Sequence, residues 1–144
     1  MSFSAKLQAG FDEGKFVCVG LDPDIEKLPS SIKENYDSIE AAFFAFNKAI
    51  IDATAESVCA FKPNSAFYEA HGEEGYRALK KTCSYLSRVY PDIPVILDAK
   101  RADIGDTNEG YASMAFDWLQ ADAITVNPYF GGESLEPFLK RKDK

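Results

Sequence analysis

The sequence predicts an α/β fold in which a parallel sheet is covered by helices, and the spacing of its apolar residues is the main reason. Short apolar runs alternate with longer segments that have helical periodicity. The four runs are FVCVGL (16–21), VCAF (58–61), VILDA (95–99) and AITV (123–126). Nearly continuous apolar strands, each followed by a helix, are typical of buried parallel sheets. We therefore expect four parallel strands in one domain.

Two long helices are predicted between these strands. The first covers about residues 37–55, where Asp37 and Glu40 provide capping groups. Its apolar residues recur at helical spacing and are Ile39, Phe43, Phe46 and Ile50. The second covers residues 72–90, GEEGYRALKKTCSYLSRVY, which has a similar pattern. Each helix thus connects one strand to the next parallel strand.

Two further helices are predicted in the last third of the chain. One begins at Thr107 or Asn108, because either side chain can cap the segment EGYASMAFDWLQ. The other begins within residues 132–134 and runs to residue 144. The sequence shows no repeat, low-complexity segment or linker between domains.

Composition and charge exclude several classes of protein. The chain has 144 residues, of which 46% are hydrophobic, so it is long enough for a real core. A net charge of −7 without an extended basic run argues against nucleic acid as the main partner. No apolar export signal or stretch of about 18 apolar residues is present, so we expect no membrane association and a cytoplasmic location.

The three cysteines predict no special chemistry. Cys18, Cys59 and Cys83 are odd in number and far apart in the sequence, and each lies among apolar residues. This pattern favours reduced thiols in the core over a disulfide framework or a zinc site.

Charged residues follow three of the four predicted strands. They are Asp22, Lys62, Asp98 and Lys100. Because residues two apart on a strand share a face, Ile96, Asp98 and Lys100 should point to the same side. Ligands of parallel α/β folds bind at the carboxyl ends of the strands. One such residue alone would indicate a structural ion pair, whereas alternating charges that converge on one end predict a site.

These strand ends carry a resemblance to a known family. The stretch DAKRADIGDT (98–107) fits the signature D-x-K-x-x-D-I/V-G/P-x-T of orotidine 5'-phosphate decarboxylases. VGLDPD (19–24), FKPNSAFYEAHG (61–72) and DAITVNPYFGGESLEPFL (122–139) are similar to strand ends of the family's longer microbial subgroup. The D-x-K-x-x-D motif also occurs in related sugar-phosphate enzymes. The four stretches in this order are much more specific.

The resemblance implies a (β/α)8 TIM barrel, a fold that needs about 250 residues. Residues 1–144 supply about the first four βα units, so we expect them to be the N-terminal half of a single TIM-barrel domain. In the family, the pyrimidine is bound after the fifth strand and the phosphate after the seventh and eighth. Those segments would follow residue 144, and we expect residues 1–144 alone to be inactive.

The implied reaction is decarboxylation of orotidine 5'-monophosphate to UMP in de novo pyrimidine biosynthesis, without a metal or an organic cofactor. Lys100 would stabilise the carbanion at C6 of the pyrimidine and then protonate it. The neighbouring carboxylates favour the charged form of this lysine. Asp98 would lie near the departing carboxylate, and Lys62 would link Asp98 to the ribose hydroxyls.

Further roles follow from the same resemblance. Asp22 would accept hydrogen bonds from the ribose, and Asn127 would line the floor of the site together with Tyr129. Asp103 would be a catalytic residue and Thr107 a substrate-binding residue. Both would reach into the site of a partner subunit. A homodimer is therefore expected.

Four other residues are assigned no catalytic role. We interpret His71 as a loop or helix-entry residue, and Gly131 and Gly132 as turn residues rather than a phosphate cradle. Arg101 should point away from Lys100 and contribute to packing or to the interface.

Two alternatives remain open at this point. One is a metal-dependent phosphate-sugar lyase of the same superfamily. Those enzymes commonly have a carboxylate just before the Asp-x-Lys motif, where this sequence has Ile96 and Leu97. The other is a non-catalytic α/β domain that binds a phosphorylated ligand.

Overall fold

A computed structural model describes residues 1–144 and contains the four predicted strands. They are β1 (Val17–Gly20), β2 (Val58–Lys62), β3 (Ile96–Arg101) and β4 (Ala123–Val126). β1 pairs with β2, and β3 pairs with β4, in parallel. Parallel bridges from Phe61 to Val95 and from Asn64 to Asp98 join the two pairs. The strands therefore follow one another in chain order, and the prediction of four parallel strands is confirmed.

Seven α-helices accompany the strands. They are α1 (Phe3–Asp12), α2 (Ser30–Lys33), α3 (Ile39–Thr54), α4 (Ser65–Glu69), α5 (Gly72–Val89), α6 (Gly105–Ala112) and α7 (Glu136–Leu139). The two long predicted helices correspond to α3 and α5, with bounds that differ by one or two residues. Ser38 caps α3 because its hydroxyl accepts a hydrogen bond from the amide of Ala41 at 3.2 Å. None of the helices combines the length and the apolar character that crossing a bilayer requires.

The predicted start of the third helix is wrong. α6 begins at Gly105, after Ile104 as its N-cap, so neither Thr107 nor Asn108 caps it. Gly105 has φ of +46°, which lets the chain turn directly into the helix. The side chain of Asn108 is engaged elsewhere, as described below. A π-helical turn (Ser113–Trp118) continues α6.

The predicted fourth helix is also much shorter than expected. Residues 128–130 form a 3-10 turn, and only Glu136–Leu139 are α-helical. Gly131 has φ of +84°, which ends the turn and confirms its interpretation as a turn residue. Residues 132–135 continue as a turn, so the helix starts later than predicted.

The core lies between the sheet and the helices α3 and α5. Its largest fully buried side chains include Phe43, Phe61, Leu79 and Leu97. Asn47 is also fully buried and donates hydrogen bonds to Tyr68 Oη at 2.8 Å and to Thr82 Oγ1 at 3.0 Å. These polar contacts hold the two helices together within an apolar interior.

Tyr68 connects this polar pair to the end of β1. Its hydroxyl donates to the carbonyl oxygen of Leu21 at 2.6 Å. Burial raises the pKa of Tyr68, so the hydroxyl remains a donor. Since Leu21 directly precedes Asp22, the core fixes the position of the first predicted charged residue.

One edge of the sheet is uncovered. Phe16 and Val17 are 72% and 55% exposed, and Cys18 is exposed as well. The prediction of three core thiols is therefore wrong for Cys18, because β1 is an edge strand with little packed against it. Cys59 and Cys83 are buried, and burial raises the pKa of Cys83 to about 12.

Helix α1 packs at the amino ends of β3 and β4. Lys6 Nζ lies 2.7 Å from Asp122 Oδ1, and the second carboxylate oxygen of Asp122 accepts the amide of Val95 at 2.9 Å. Val95 and Asp122 directly precede β3 and β4. This ion pair therefore attaches the N-terminal helix to the amino ends of two strands.

Candidate active site

Three of the four predicted charged residues form direct ion pairs at the carboxyl ends of β2 and β3. Asp98 Oδ2 lies 3.0 Å from Lys62 Nζ, and Asp98 Oδ1 lies 2.6 Å from Lys100 Nζ. The Asp98 side chain is 10% exposed, whereas those of Lys62 and Lys100 are 34% and 66% exposed. A buried carboxylate thus holds two ammonium groups that reach solvent. We call Lys62, Asp98 and Lys100 the charge cluster.

Asp22 lies beside this cluster without pairing directly with either lysine. Its Oδ1 accepts the amide of Asn64 at 2.8 Å, and Asn64 in turn bridges to Asp98. Burial alone would lower the pKa of Lys62, but the hydrogen bond and charge of Asp98, helped by the charge of Asp22, raise it overall. The carboxylates and ammonium groups therefore alternate across the strand ends.

Asp98 is held firmly in its charged form. The hydrogen bond from Lys100 is the main reason that the pKa of Asp98 falls to about 2 from an ordinary 3.8. Burial opposes this shift, and hydrogen bonds from Lys62 and Thr125 add to it. Asp98 is consequently ionised throughout the neutral range, and its negative charge is fixed beside any bound ligand.

The end of β3 departs from regular strand geometry at Lys100. This residue has φ of +48°, and the register with β4 shifts between Leu97 and Arg101. Simple alternation along a strand predicted that Lys100 shares a side with Asp98, and the two side chains do meet. The backbone that brings them together is a bulge, which alternation does not predict.

Thr125 of β4 is a site residue that the sequence analysis missed. Its hydroxyl donates to Asp98 Oδ1 at 2.8 Å and accepts the amides of Ala99 at 3.1 Å and Lys100 at 3.0 Å. A usable signal was present, because Thr125 is the only hydroxyl residue in the apolar run AITV. That run lies on the strand next to Asp98.

The structure does not bring Asp103 or Thr107 into contact with the charge cluster. Asp103 Oδ1 accepts the amide of Ile104 at 2.8 Å, and Thr107 is exposed on the first turn of α6. Asn108 holds this loop in place, because its amide nitrogen donates to the carbonyl oxygens of Asp103 at 2.7 Å and Ser134 at 2.6 Å. Asp103 therefore lies on a braced loop, and Thr107 lies on the exposed first turn of the helix that follows it.

Asn127 and Tyr129 also lie outside the cluster. The side-chain oxygen of Asn127 accepts the amide of Tyr129 at 3.0 Å, and Tyr129 is 86% exposed. Arg101 points away from Lys100, as expected, to pair with Glu69 and to lie over the Tyr111 ring. These residues support the strand end and the surface around it.

The remaining predicted residues have structural positions. His71 is the N-cap residue of α5, and its ring packs edge-on against Phe43 at 5.0 Å between centroids. Its interpretation as a helix-entry residue is confirmed. No group of three or more His, Cys, Asp or Glu side chains is arranged to hold a metal ion.

The pKa of Asp98 predicts an acid-dependent loss of stability. Because the folded pKa is depressed, the contribution is present above about pH 4 and disappears as pH falls towards 2. We expect it to amount to about 2 kcal/mol. The measurement is the unfolding free energy of the chain and of Asp98→Asn, by denaturant titration between pH 6 and 2.

The difference in unfolding free energy between the unmodified chain and Asp98→Asn should shrink as the pH falls from 6 to 2. Asp92→Asn, which removes an exposed carboxylate without a hydrogen-bond partner, is the matched control. A constant difference down to pH 2 would contradict the assignment of Asp98.

Comparison with known proteins identifies the family. Residues 15–144 match the model of the orotidine 5'-phosphate decarboxylase / HUMPS family. The chain is 49% identical over its full length to the orotidine 5'-phosphate decarboxylase of Cellvibrio japonicus, covering 52% of that protein. It is 50% identical to that of Flavobacterium johnsoniae, over 90% of this chain and 46% of the relative. The chain thus spans about half the length of these relatives.

Solved structures agree with this result. The chain superimposes on OMP decarboxylase from Leishmania donovani with a TM-score of 0.84 and 41% identity, covering all of this chain and 51% of the other. The TM-score is 0.87 with a putative orotidine-monophosphate-decarboxylase from Toxoplasma gondii, at 43% identity over 99% of this chain and 46% of the other. The predicted fold class, about four βα units of a TIM-barrel family, is confirmed. The chain belongs to the orotidine 5'-phosphate decarboxylase / HUMPS family.

Proposed function

We propose that residues 1–144 are the N-terminal half of a single TIM-barrel domain that decarboxylates orotidine 5'-monophosphate to UMP in pyrimidine biosynthesis. The observation that carries the proposal is the buried carboxylate of Asp98 between Lys62 and Lys100 at the carboxyl ends of the strands. The names of the relatives, which are about 50% identical, support the choice of reaction.

The proposed chemistry uses the ammonium of Lys100. When the bond between C6 and the carboxylate breaks, its electron pair stays on C6 and CO2 leaves. A preorganised positive charge stabilises such a developing anion most strongly when it is already in place. Lys100 then transfers a proton from Nζ to C6 and is reprotonated from water. Its side chain is 66% exposed, so the ammonium is accessible to a ligand while it stays bonded to Asp98.

The neighbouring charges have distinct proposed roles. Asp98 faces the departing carboxylate and keeps Lys100 oriented through their 2.6 Å contact. Lys62 binds the other oxygen of Asp98 and extends the row towards the ribose hydroxyls, where Asp22 accepts hydrogen bonds. Asn127 is proposed to border the substrate at the end of β4. The chemistry needs no metal or organic cofactor.

A homodimer is proposed as the working form, in the cytoplasm. Asp103 and Thr107 flank the start of α6, and apolar residues next to this segment are exposed: Ile104 by 66% and Phe130 by 54%. Exposed apolar groups beside a braced loop favour contact with another protein surface. Asp103 and Thr107 would then reach the site of the partner subunit, where Asp103 adds a carboxylate to the charged row.

A hybrid protein tests the proposed reaction. Residues 1–144 are joined to the C-terminal half of the Cellvibrio japonicus relative. This relative is chosen because all of residues 1–144 align with it, over 52% of its length. We expect the hybrid to convert orotidine 5'-monophosphate to UMP with the same rate in excess EDTA and in Mg²⁺.

Two outcomes would favour another function. Turnover that requires Mg²⁺, or activity on a sugar phosphate instead, would identify a metal-dependent lyase of the same superfamily. A folded hybrid that binds UMP but turns over neither substrate would indicate a non-catalytic ligand-binding domain. The unmodified relative, assayed in parallel, is the positive control.

A further inference from the structure

We infer that Thr125 is a positioning residue that directs the ammonium of Lys100 by fixing the backbone at the end of β3. This inference rests on the proposed function, since Lys100 is the proposed proton donor. Thr125 itself need not touch the substrate, because it acts through Asp98 and through the amides of Ala99 and Lys100.

The hydroxyl of Thr125 uses its full hydrogen-bonding capacity at this point. A hydroxyl offers one donor and two acceptor lone pairs. Here the donor goes to Asp98 Oδ1 at 2.8 Å, and the lone pairs accept the amides of Ala99 at 3.1 Å and Lys100 at 3.0 Å. The three contacts involve consecutive residues of one strand end.

Two consecutive amides cannot reach one acceptor from a regular strand. Successive amides of an extended strand point in opposite directions, because the backbone is pleated. Convergence of the Ala99 and Lys100 amides requires a bend at Ala99, whose φ and ψ lie between them, within the stretch where the register with β4 shifts. The left-handed φ of +48° follows at the next residue, Lys100. This conformation is unfavourable for a residue with a Cβ atom, so it persists only when other contacts compensate. The two amide bonds to Thr125 hold the peptide group that precedes Lys100 and so contribute to that compensation.

The bend determines where the lysine side chain goes. With it, Lys100 Nζ returns to within 2.6 Å of Asp98 Oδ1, the same oxygen that accepts the Thr125 hydroxyl. Threonine suits this task because its branched Cβ restricts rotation of the hydroxyl. Thr125 therefore fixes the positions of both the Asp98 carboxylate and the Lys100 ammonium.

Titration of Asp98 by NMR, in the ligand-free hybrid protein, tests the inference without any substrate. Thr125→Val keeps the shape of the side chain but removes the hydroxyl. We expect the pKa of Asp98 to rise by about one unit from its low value, because the carboxylate loses a donor. The Cα and Cβ shifts of Lys100 should move from left-handed to extended values. Thr125→Ser retains the hydroxyl and should restore both signals.

A second threonine provides the matched control. Thr54 is partly buried in α3, and its hydroxyl donates to the carbonyl oxygen of Ile50 at 2.7 Å, away from the strand ends. Thr54→Val should therefore leave the Asp98 titration and the Lys100 shifts unchanged. If Thr125→Val changes neither signal, Thr125 does not position Lys100 and the inference is wrong.

Hydrogen exchange in the hybrid protein without substitutions gives an independent check if the valine variant does not fold. The amides of Ala99 and Lys100 should exchange slowly, because both donate to Thr125. Exchange at the rate of an open loop would overturn the inference. Neither measurement depends on turnover, so an inactive hybrid would count against the proposed reaction alone.

Discussion

Lys100→Ala in the hybrid protein is expected to abolish decarboxylation while a UMP-like ligand still binds. The loss should exceed about 10⁴-fold in kcat, because one substitution removes both a proton donor and a positive charge at the developing carbanion. Binding of UMP should weaken much less, since the lysine acts mainly on charge that is absent from the ground state. Single-turnover kinetics and calorimetry measure the two effects separately.

The structure indicates that replacing Lys100 leaves the rest of the charge cluster in place. Asp98 keeps its contact with Lys62 Nζ at 3.0 Å when Lys100 is replaced, so the buried carboxylate does not lose all compensation. Lys48→Ala is the matched control, because Lys48 also pairs with an aspartate, Asp52, at 2.5 Å but lies on the outer surface of α3. The control should keep normal turnover. Turnover retained by Lys100→Ala would refute the role of Lys100 as proton donor.

Residues 1–144 expressed alone are expected to show no measurable decarboxylase activity. By family resemblance, the groups that hold the pyrimidine and the phosphate follow later strands. Much of the rate acceleration in such enzymes comes from binding energy of substrate parts remote from the reacting bond. The charge cluster by itself would therefore meet the substrate too briefly and in too many orientations to react.

The same segment should also be unstable or self-associating. Phe16 and Val17 leave an apolar edge on β1, where another strand can pair. Light scattering gives the mass in solution, and conversion of orotidine 5'-monophosphate is followed in the same sample. A soluble monomer with clear turnover would show that the second half is dispensable, and the proposed site would be wrong in its main point.

The four strands and the two longest helices were predictable because their signals are local. Continuous apolar runs fixed all four strands, and residues at helical spacing fixed α3 and α5. Helices α1, α2 and α4 were not predicted, and α2 and α4, with four and five residues, are too short to show a period. Asn108 was predicted to cap a helix from its residue type alone. In the structure it braces the loop against Ser134, which is 26 residues away.

The charge cluster was predictable for a different reason. Parallel strands bring their carboxyl ends to one edge, so residue positions at the strand ends already place Lys62 near Asp98. Thr125 stood out as the hydroxyl residue of its apolar run, but its particular contacts and the bulge at Lys100 were not predictable. Both depend on how β4 is registered against β3, and a single sequence does not reveal that register.

The attachment of α1 has a practical consequence for anyone who immobilises or labels this protein. Lys6 and Asp122 hold the first helix against the amino ends of the strands, whereas the charge cluster lies at their carboxyl ends. An affinity tag or a surface linker fused to Met1 therefore extends from the side opposite Lys100. Attachment there leaves the approach of a small molecule to the lysine unobstructed.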